Sequence, residues 1–167
     1  NGRKLRFFAA YSIAFLVILT VQVKALATDQ DPEIQVLIKQ TSELINGGKY
    51  SEAVPLARKA LELNQVLTGK DSPGKRKFLN NLGWLLEKNG EVGEARAVFE
   101  AAINLDPTLK NNELAVSYNH LGTLIYLQGD YPSARTNFEI ALSIIEKLPI
   151  DSELEIALAQ TLKNLAG

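Results

Sequence analysis

The chain has 167 residues, 46% of them hydrophobic and 22% charged, a composition that is typical of a folded domain and excludes intrinsic disorder. It contains no cysteine, which excludes disulfides, zinc–thiolate sites and cysteine nucleophiles. Residues 1–27 carry four basic and no acidic side chains, so the remainder holds 14 basic against 19 acidic ones; this net charge of −5 argues against general binding of nucleic acid.

The first predicted element is an apolar stretch at residues 7–23, with Arg3, Lys4 and Arg6 before it and small residues at Ala25 and Ala27 after it. This arrangement predicts a secretion signal that is cleaved after Ala27. An uncleaved membrane anchor is the alternative, since these 17 residues lie at the lower limit of a membrane span. We therefore expect a protein exported to a periplasm, a lumen or the outside of the cell, or one associated with a membrane through residues 7–23.

Residues 28–167 carry apolar side chains at helical spacing, interrupted by short breaks. Gly48, Gly90 and Gly129 recur at separations of 42 and 39 residues, and each opens a similar segment. An alanine follows each glycine after five residues, and a second alanine follows after seven more: Ala53, Ala95 and Ala134, then Ala60, Ala102 and Ala141. Three coincident series predict an internal repeat of paired helices.

Local signals predict where these helices begin and end. Asp130 is expected to cap a helix with Pro132 in its first turn, and Pro107 to end another. The basic run "KRK" at residues 75–77 predicts a solvated helix start.

These segments resemble the tetratricopeptide repeat family, in a long-period variety similar to kinesin light chain and to exported bacterial repeat proteins. The second unit carries the best match: Leu79, Leu82, Gly83, Leu86, Gly90, Ala95, Phe99, Ala102 and Pro107. The resemblance implies an all-α fold, an α-solenoid of antiparallel helix pairs after an N-terminal apolar helix. Its units fall at about residues 34–67, 76–107 and 115–148, with a partial fourth at 152–167. Because the last helix lacks a partner, we expect the array to continue beyond Gly167.

Gly83 and Gly122 stand inside predicted helices, where glycine costs about 1 kcal/mol relative to alanine. We interpret both as contact points at which the second helix of a pair approaches the backbone of the first.

The resemblance also places a concave surface on the first helix of each unit, where an extended peptide of a partner protein would bind. The predicted groove residues of the first unit are Ile38, Lys39 and Ser42. Those of the later units are Asn80, Asn81, Trp84, Lys88, Asn119, His120, Thr123, Tyr126, Lys163 and Asn164. Asparagine amides suit a peptide backbone because each offers a donor and an acceptor. Trp84 is open to a second interpretation, as a cover for the core between repeats. Of the family's clamp for a C-terminal carboxylate only Asn81 is present, so a chaperone-tail receptor is not expected.

The single histidine, His120, follows Glu113 and Ser117 on one helical face, but side chains stacked along one helix rarely converge as a catalytic set. Residues 28–33 resemble a calcium loop only superficially, because the required glycine and last glutamate are replaced. We therefore predict a non-catalytic scaffold without cofactor or metal. The alternatives are a membrane-anchored assembly factor and the regulatory array of a larger enzyme.

Overall fold

A computed structural model describes residues 31–69, 74–149 and 152–166, and within these ranges the regular structure is entirely helical. The seven helices are α1 (Pro32–Asn46), α2 (Tyr50–Thr68), α3 (Lys75–Lys88), α4 (Val92–Asn104), α5 (Asn112–Leu127), α6 (Tyr131–Ile145) and α7 (Ser152–Ala166). The predicted signal or anchor at residues 1–27 lies outside the described residues. None of the seven described helices combines the length and the apolar character that crossing a bilayer requires.

Neighbouring helices pack as pairs, α1 with α2, α3 with α4 and α5 with α6. Each even-numbered helix also packs against the first helix of the next pair, so that α7 rests on α6. Along the other side, α3 packs on α5 and α5 on α7. This arrangement is the α-solenoid predicted from the sequence, and its odd-numbered helices stand side by side on one face.

Each pair turns at a glycine with a left-handed backbone. Gly48, Gly90 and Gly129 have φ values of 69°, 83° and 85°, a region in which a side chain would be strained. The predicted cap at Asp130 is confirmed, because its carboxylate accepts a hydrogen bond from the backbone N–H of Ser133 at 3.2 Å. The repeating glycine series thus marks the turn inside each helix pair.

The predicted contact glycines are also confirmed. A Cβ atom added to Gly83 would lie 2.7 Å from Cε1 of Phe99, and one added to Gly122 would lie 2.6 Å from Cε1 of Phe138. Both distances are far shorter than an ordinary carbon–carbon contact. In each pair a phenylalanine of the second helix therefore fills the space that a glycine of the first helix leaves.

Arg76 departs from the expectation for residues 75–77. Its side chain is buried, with 3% exposure, and the prediction of a solvated helix start is wrong at this position. The guanidinium donates to the carbonyl oxygens of Ala102 at 2.9 Å and Asp106 at 2.6 Å, and to Oδ1 of Asn111 at 2.9 Å. Since Asn111 caps α5, Arg76 ties the end of α4 to the start of α5.

Candidate functional site

The open face of the solenoid is formed by one stripe of side chains from each odd-numbered helix. In α3 and α5 the stripe occupies four positions, which lie six and two residues before the contact glycine and one and five residues after it. In α1 and α7, which lack this glycine, the positions are counted from the residue that aligns with it. We call this set the groove stripe: Gln35, Lys39, Ser42 and Asn46; Lys77, Asn81, Trp84 and Lys88; Val116, His120, Thr123 and Leu127; Gln160 and Asn164. All of these residues are exposed or half-buried, as the 3.6-residue period of a helix requires.

A first cavity of about 450 Å³ lies between α1 and α3 and extends to α5. Its walls are mainly apolar, and include Ile38, Ile45, Phe78, Trp84 and Val116. Polar groups lie in the same cavity: Thr41, Ser42, Asn80, Asn81 and His120. This combination of an apolar wall and a few polar groups is typical of binding sites in proteins.

A second cavity of about 370 Å³ follows between α3, α5 and α7 and has more polar walls. Its lining includes Glu87, Lys88, Thr123, Gln160 and Asn164. Trp84, Val116 and His120 line both cavities. The two cavities therefore adjoin and form one trough across the odd-numbered helices.

Asn80 lines the first cavity and Asn119 the second, but both side chains are almost fully buried, so the expectation that these two residues face solvent is wrong. Each is 6% exposed. Nδ2 of Asn80 donates to the carbonyl oxygen of Glu113 at 2.7 Å, and its Oδ1 accepts from Oγ of Ser117 at 2.7 Å. Nδ2 of Asn119 donates to Oγ1 of Thr161. Both amide nitrogens thus donate between successive odd-numbered helices, whereas the buried Oδ1 of Asn119 accepts no hydrogen bond from the described residues.

These two bonds use the same register. In each bond the asparagine lies two residues before a leucine that recurs in the odd-numbered helices as Leu82, Leu121 and Leu165. The hydroxyl lies four residues before the corresponding leucine of the next odd-numbered helix. We call this the asparagine–hydroxyl ladder. At the junction of α1 and α3 its two positions hold Ile38 and Phe78 instead, which both line the first cavity.

The first cavity exists because the first helix pair departs from the others. Ala57 stands where α4 and α6 carry Phe99 and Phe138, so no ring fills the space between α1 and α2. Within the described residues, α1 also lacks the close packing on α3 that α3 makes on α5. The missing ring and the missing ladder bond together leave an apolar opening.

His120 is held from two sides. Its imidazole stacks on Phe99, with ring centroids 4.9 Å apart and an interplanar angle of 4°, and its Nδ1 lies 3.4 Å from Oε2 of Glu87. The polar contact with His120 lowers the pKa of Glu87 from its usual value, against the opposing effect of burial. The Ser117 hydroxyl shares its one proton between Oδ1 of Asn80 at 2.7 Å and the Glu113 carbonyl oxygen at 2.8 Å, so it is directed to these acceptors rather than to His120.

The other predicted residues lie at different places along the face. Trp84 agrees with both interpretations, as a groove residue and as a cover for the core. It lines the trough, and its ring also packs edge-to-face on Tyr50, with the ring centroids 5.9 Å apart. Asn164 lies in the second cavity, with Nδ2 3.4 Å from Oγ1 of Thr123. Tyr126 and Lys163 line a smaller cavity of about 190 Å³ beyond it.

Sequence reasoning placed Ile38 and Trp84 on the groove but missed the rest of the apolar wall of the first cavity, and it missed the carboxylate of Glu87. One signal was present in the sequence, since Ile38 replaces the asparagine that α3 and α5 carry at this register. Val116 lies one helical turn before His120 and could have been found from the same stripe.

Comparison with known proteins identifies the repeat. One tetratricopeptide repeat model matches residues 44–108 and a second matches residues 114–148. No curated protein matches the sequence.

Several solved structures share the fold. The type III secretion translocator chaperone SycD of Yersinia enterocolitica superposes with a TM-score of 0.62 at 17% identity, over 81% of this chain and 93% of that one. The Sgt2 repeat domain from Aspergillus fumigatus gives 0.57 at 20% identity, over 81% of both chains. BtubC from P. vanneervenii gives 0.62 at 22% identity, over 81% of this chain and 58% of that one. At these identities the likeness concerns the fold alone.

Proposed function

Since this chain belongs to the tetratricopeptide repeat family, we propose that it is a non-catalytic scaffold whose trough binds an extended segment of a partner protein. The observation that supports this most is the continuity of the trough, whose two cavities share Trp84, Val116 and His120. A continuous trough across parallel helices accommodates a chain that runs from one repeat to the next.

Asn81 is the residue best placed to hold the backbone of such a segment. It is exposed in the groove stripe, and its amide makes no hydrogen bond with any other described residue. One side-chain amide can donate to a carbonyl and accept from an N–H of the same bound strand. This role replaces the one predicted for Asn80 and Asn119, whose amides serve the ladder.

Trp84 supplies the contact area. Its half-buried ring lies where the two cavities meet, and the ammonium of Lys88 stands 5.8 Å from the ring centroid. A rigid aromatic residue at the centre of an interface commonly dominates the binding energy. We therefore assign the anchoring contact to Trp84 and the backbone contact to Asn81.

The test requires a partner captured by affinity purification with residues 28–167 and identified by mass spectrometry. Titration calorimetry should then show that Asn81→Ala and Trp84→Ala each weaken binding by about 1–3 kcal/mol. Arg96→Ala and Arg135→Ala are the controls, because their guanidinium groups are exposed on α4 and α6, each beside a glutamate at 2.9 Å. Loss of binding in the control variants alone would contradict the groove assignment.

We also propose that residues 1–27 direct the chain to export, with cleavage after Ala27. The N-terminal sequence of the protein recovered from cells tests this directly. An intact segment 7–23 in the membrane fraction would instead support the membrane-anchored assembly factor, and an enzymatic domain in the full-length gene product would support the regulatory array.

A further inference from the structure

Two acceptor atoms on the wall of the second cavity are buried without a hydrogen bond. They are Oδ1 of Asn119 and Oε2 of Glu87, and neither accepts a hydrogen bond from a described residue. The contact of Oε2 with Nδ1 of His120, at 3.4 Å, is longer than an ordinary N–H···O hydrogen bond. Because a buried acceptor without a donor is unfavourable, these two atoms mark the cavity as a place for a donor group.

Several hydrogen-bond donors around this cavity are, in contrast, already used by the protein. The Thr123 hydroxyl donates to the backbone carbonyl oxygen of Asn119 at 3.0 Å, and Nε2 of Gln160 donates to Oδ1 of Asn164 at 2.9 Å. Nδ2 of Asn119 donates to Oγ1 of Thr161. These donors are engaged within the chain, whereas the two buried acceptors are not.

His120 adds a third acceptor. Its ring is held by the stacked contact with Phe99, and its Nδ1 is the nitrogen beside the Glu87 carboxylate. A neutral imidazole that carries its proton on Nδ1, next to a carboxylate, has an acceptor at Nε2. Glu87 on α3 and Asn119 and His120 on α5 all line the second cavity. The wall thus combines a carboxylate oxygen, an amide oxygen and an imidazole nitrogen.

The carboxylate of Glu87 is not required for the packing of the odd-numbered helices. Glu87 stands four residues after the contact glycine Gly83, and the residues at the corresponding positions are Ile45 in α1 and Tyr126 in α5. An aliphatic or an aromatic side chain therefore serves this register elsewhere in the solenoid. Because burial of a charge that packing does not need is unfavourable, the carboxylate favours a function in binding a cation.

Lys88 compensates the charge of Glu87 only in part. Its Nζ lies 3.1 Å from Oε1 of Glu87, but the lysine side chain is 41% exposed, and ion pairs with an exposed partner contribute little. The other carboxylate oxygen, Oε2, is the buried one and makes no contact with Lys88 within ion-pair distance. This oxygen remains for a second cationic group.

We propose that the second cavity binds the guanidinium group of an arginine side chain in the partner segment. A guanidinium has five N–H donors in a planar fork and no acceptor, so it matches a wall whose acceptors lie on two helices. Trp84 lines the same cavity, and guanidinium groups stack favourably on aromatic rings. This specificity rests on the proposed function, because it assigns one side chain of the extended segment that the trough accepts.

A lysine side chain suits the cavity less well. Its ammonium concentrates three donors on a single atom, so it engages acceptors on α3 and α5 together less readily than a fork does. Lys88 already supplies an ammonium to Oε1 of Glu87. The site should consequently discriminate arginine from lysine.

The experiment selects short random peptides displayed on phage against the immobilised full chain, and titration calorimetry then gives the affinity of the most enriched peptide. Enriched sequences are expected to share an arginine. Replacing this arginine by lysine, or by the neutral and planar citrulline, should weaken binding about tenfold. Both replacements are made in the peptide and leave the fold of the protein untouched.

Protein variants test whether Glu87 is the carboxylate involved. Glu87→Gln keeps the size of the side chain and removes its charge, so it should weaken binding of the arginine peptide about tenfold. The citrulline peptide should bind Glu87→Gln and the parent within about twofold, because it lacks the charge that Glu87 attracts. Glu139→Gln is the matched control, since Glu139 also pairs with a basic side chain of its own helix, Arg135 at 2.9 Å, but is exposed on α6. The control should change the affinity less than about twofold.

The outcomes separate this specificity from the trough itself. Enriched peptides without arginine, equal affinities of the arginine and citrulline peptides, or an arginine peptide that binds Glu87→Gln as well as the parent would each overturn the arginine site. If Trp84→Ala still weakened binding in those cases, the trough would stand. Peptides that bind Trp84→Ala and Asn81→Ala as well as the parent would overturn both the trough and its specificity, as would a failure to enrich any sequence.

Discussion

Replacing Gly83 by alanine measures how tightly the second helix pair is closed. The new Cβ would lie 2.7, 2.8 and 3.0 Å from three ring carbons of Phe99. Ordinary contact begins near 3.4 Å, so the ring and the Cβ must separate by about 0.7 Å. Phe99 is 0% exposed and lies in the main hydrophobic cluster, so its ring has no free space into which it can move.

The gain in helix propensity from alanine and the cost of over-packing the core can be separated with a matched control. Alanine gains up to about 1 kcal/mol over glycine within a helix, and over-packing a filled core costs about 1–3 kcal/mol. Gly93 also stands in a helix, but a Cβ added there meets no atom within 4 Å. We expect Gly93→Ala to stabilise the protein slightly, and Gly83→Ala to be less stable than Gly93→Ala by about 1–3 kcal/mol.

Urea unfolding followed by far-ultraviolet circular dichroism gives both free energies of unfolding. A further variant, Phe99→Leu, provides a double-mutant cycle, because a smaller side chain should relieve the clash and make Gly83→Ala less costly in that background. If Gly83→Ala stabilised the protein as much as Gly93→Ala does, the close approach of α3 and α4 would be refuted, and with it the alignment of the repeats.

Three further predictions concern the polar contacts. Arg76→Met should lower the free energy of unfolding by about 3 kcal/mol because it leaves the buried carbonyl group of Ala102 unpaired and removes the other bonds of the guanidinium, whereas Arg96→Met should change it by less than about 0.5 kcal/mol; urea titrations of both variants measure the difference. Asn119→Ala should speed amide hydrogen exchange in α7, measured by mass spectrometry, because it removes a bond that holds this helix. The folded-state pKa of Glu87 lies below its usual 4.5, so its stabilising contribution is present above that value and is lost as the pH falls through the folded pKa. Glu87→Gln should consequently lose less stability than the parent between neutral and acidic pH, unless the contact with His120 is absent in solution.

The sequence was sufficient to predict the packing role of the contact glycines but not the burial of Asn80 and Asn119. A contact glycine is recognisable because its free-energy cost inside a helix must be offset by packing. The recurrence of Gly83 and Gly122 indicated the positions at which the two helices of a pair approach each other. Asn80 and Asn119 lie on the correct face, yet a helical period cannot say whether a side chain at the edge of that face points to solvent or to the next helix. That depends on the angle between successive repeats, which the ladder bonds themselves help to fix.

Arg76 shows a second limit. Its partners follow it by 26 to 35 residues and include carbonyl groups at the end of α4, which no local pattern identifies as acceptors. A basic run at a helix start is usually solvated, and only the folded connection between α4 and α5 buries the middle residue. The first cavity was missed for a related reason, since a space is defined by what several elements fail to fill.

The asparagine–hydroxyl ladder has a direction along the chain. Among the described helices, α3 carries only the asparagine and α7 only the hydroxyl, whereas α5 carries both in Ser117 and Asn119. The bonded residues are 37 positions apart at one junction and 42 at the other, so the connection between helix pairs can vary in length without loss of the bond. Helix α5 therefore carries both partners of the ladder bond. Tandem duplication of the gene segment that encodes α5–α6 would lengthen the solenoid, and each new junction would contain an asparagine and a hydroxyl at the bonding positions.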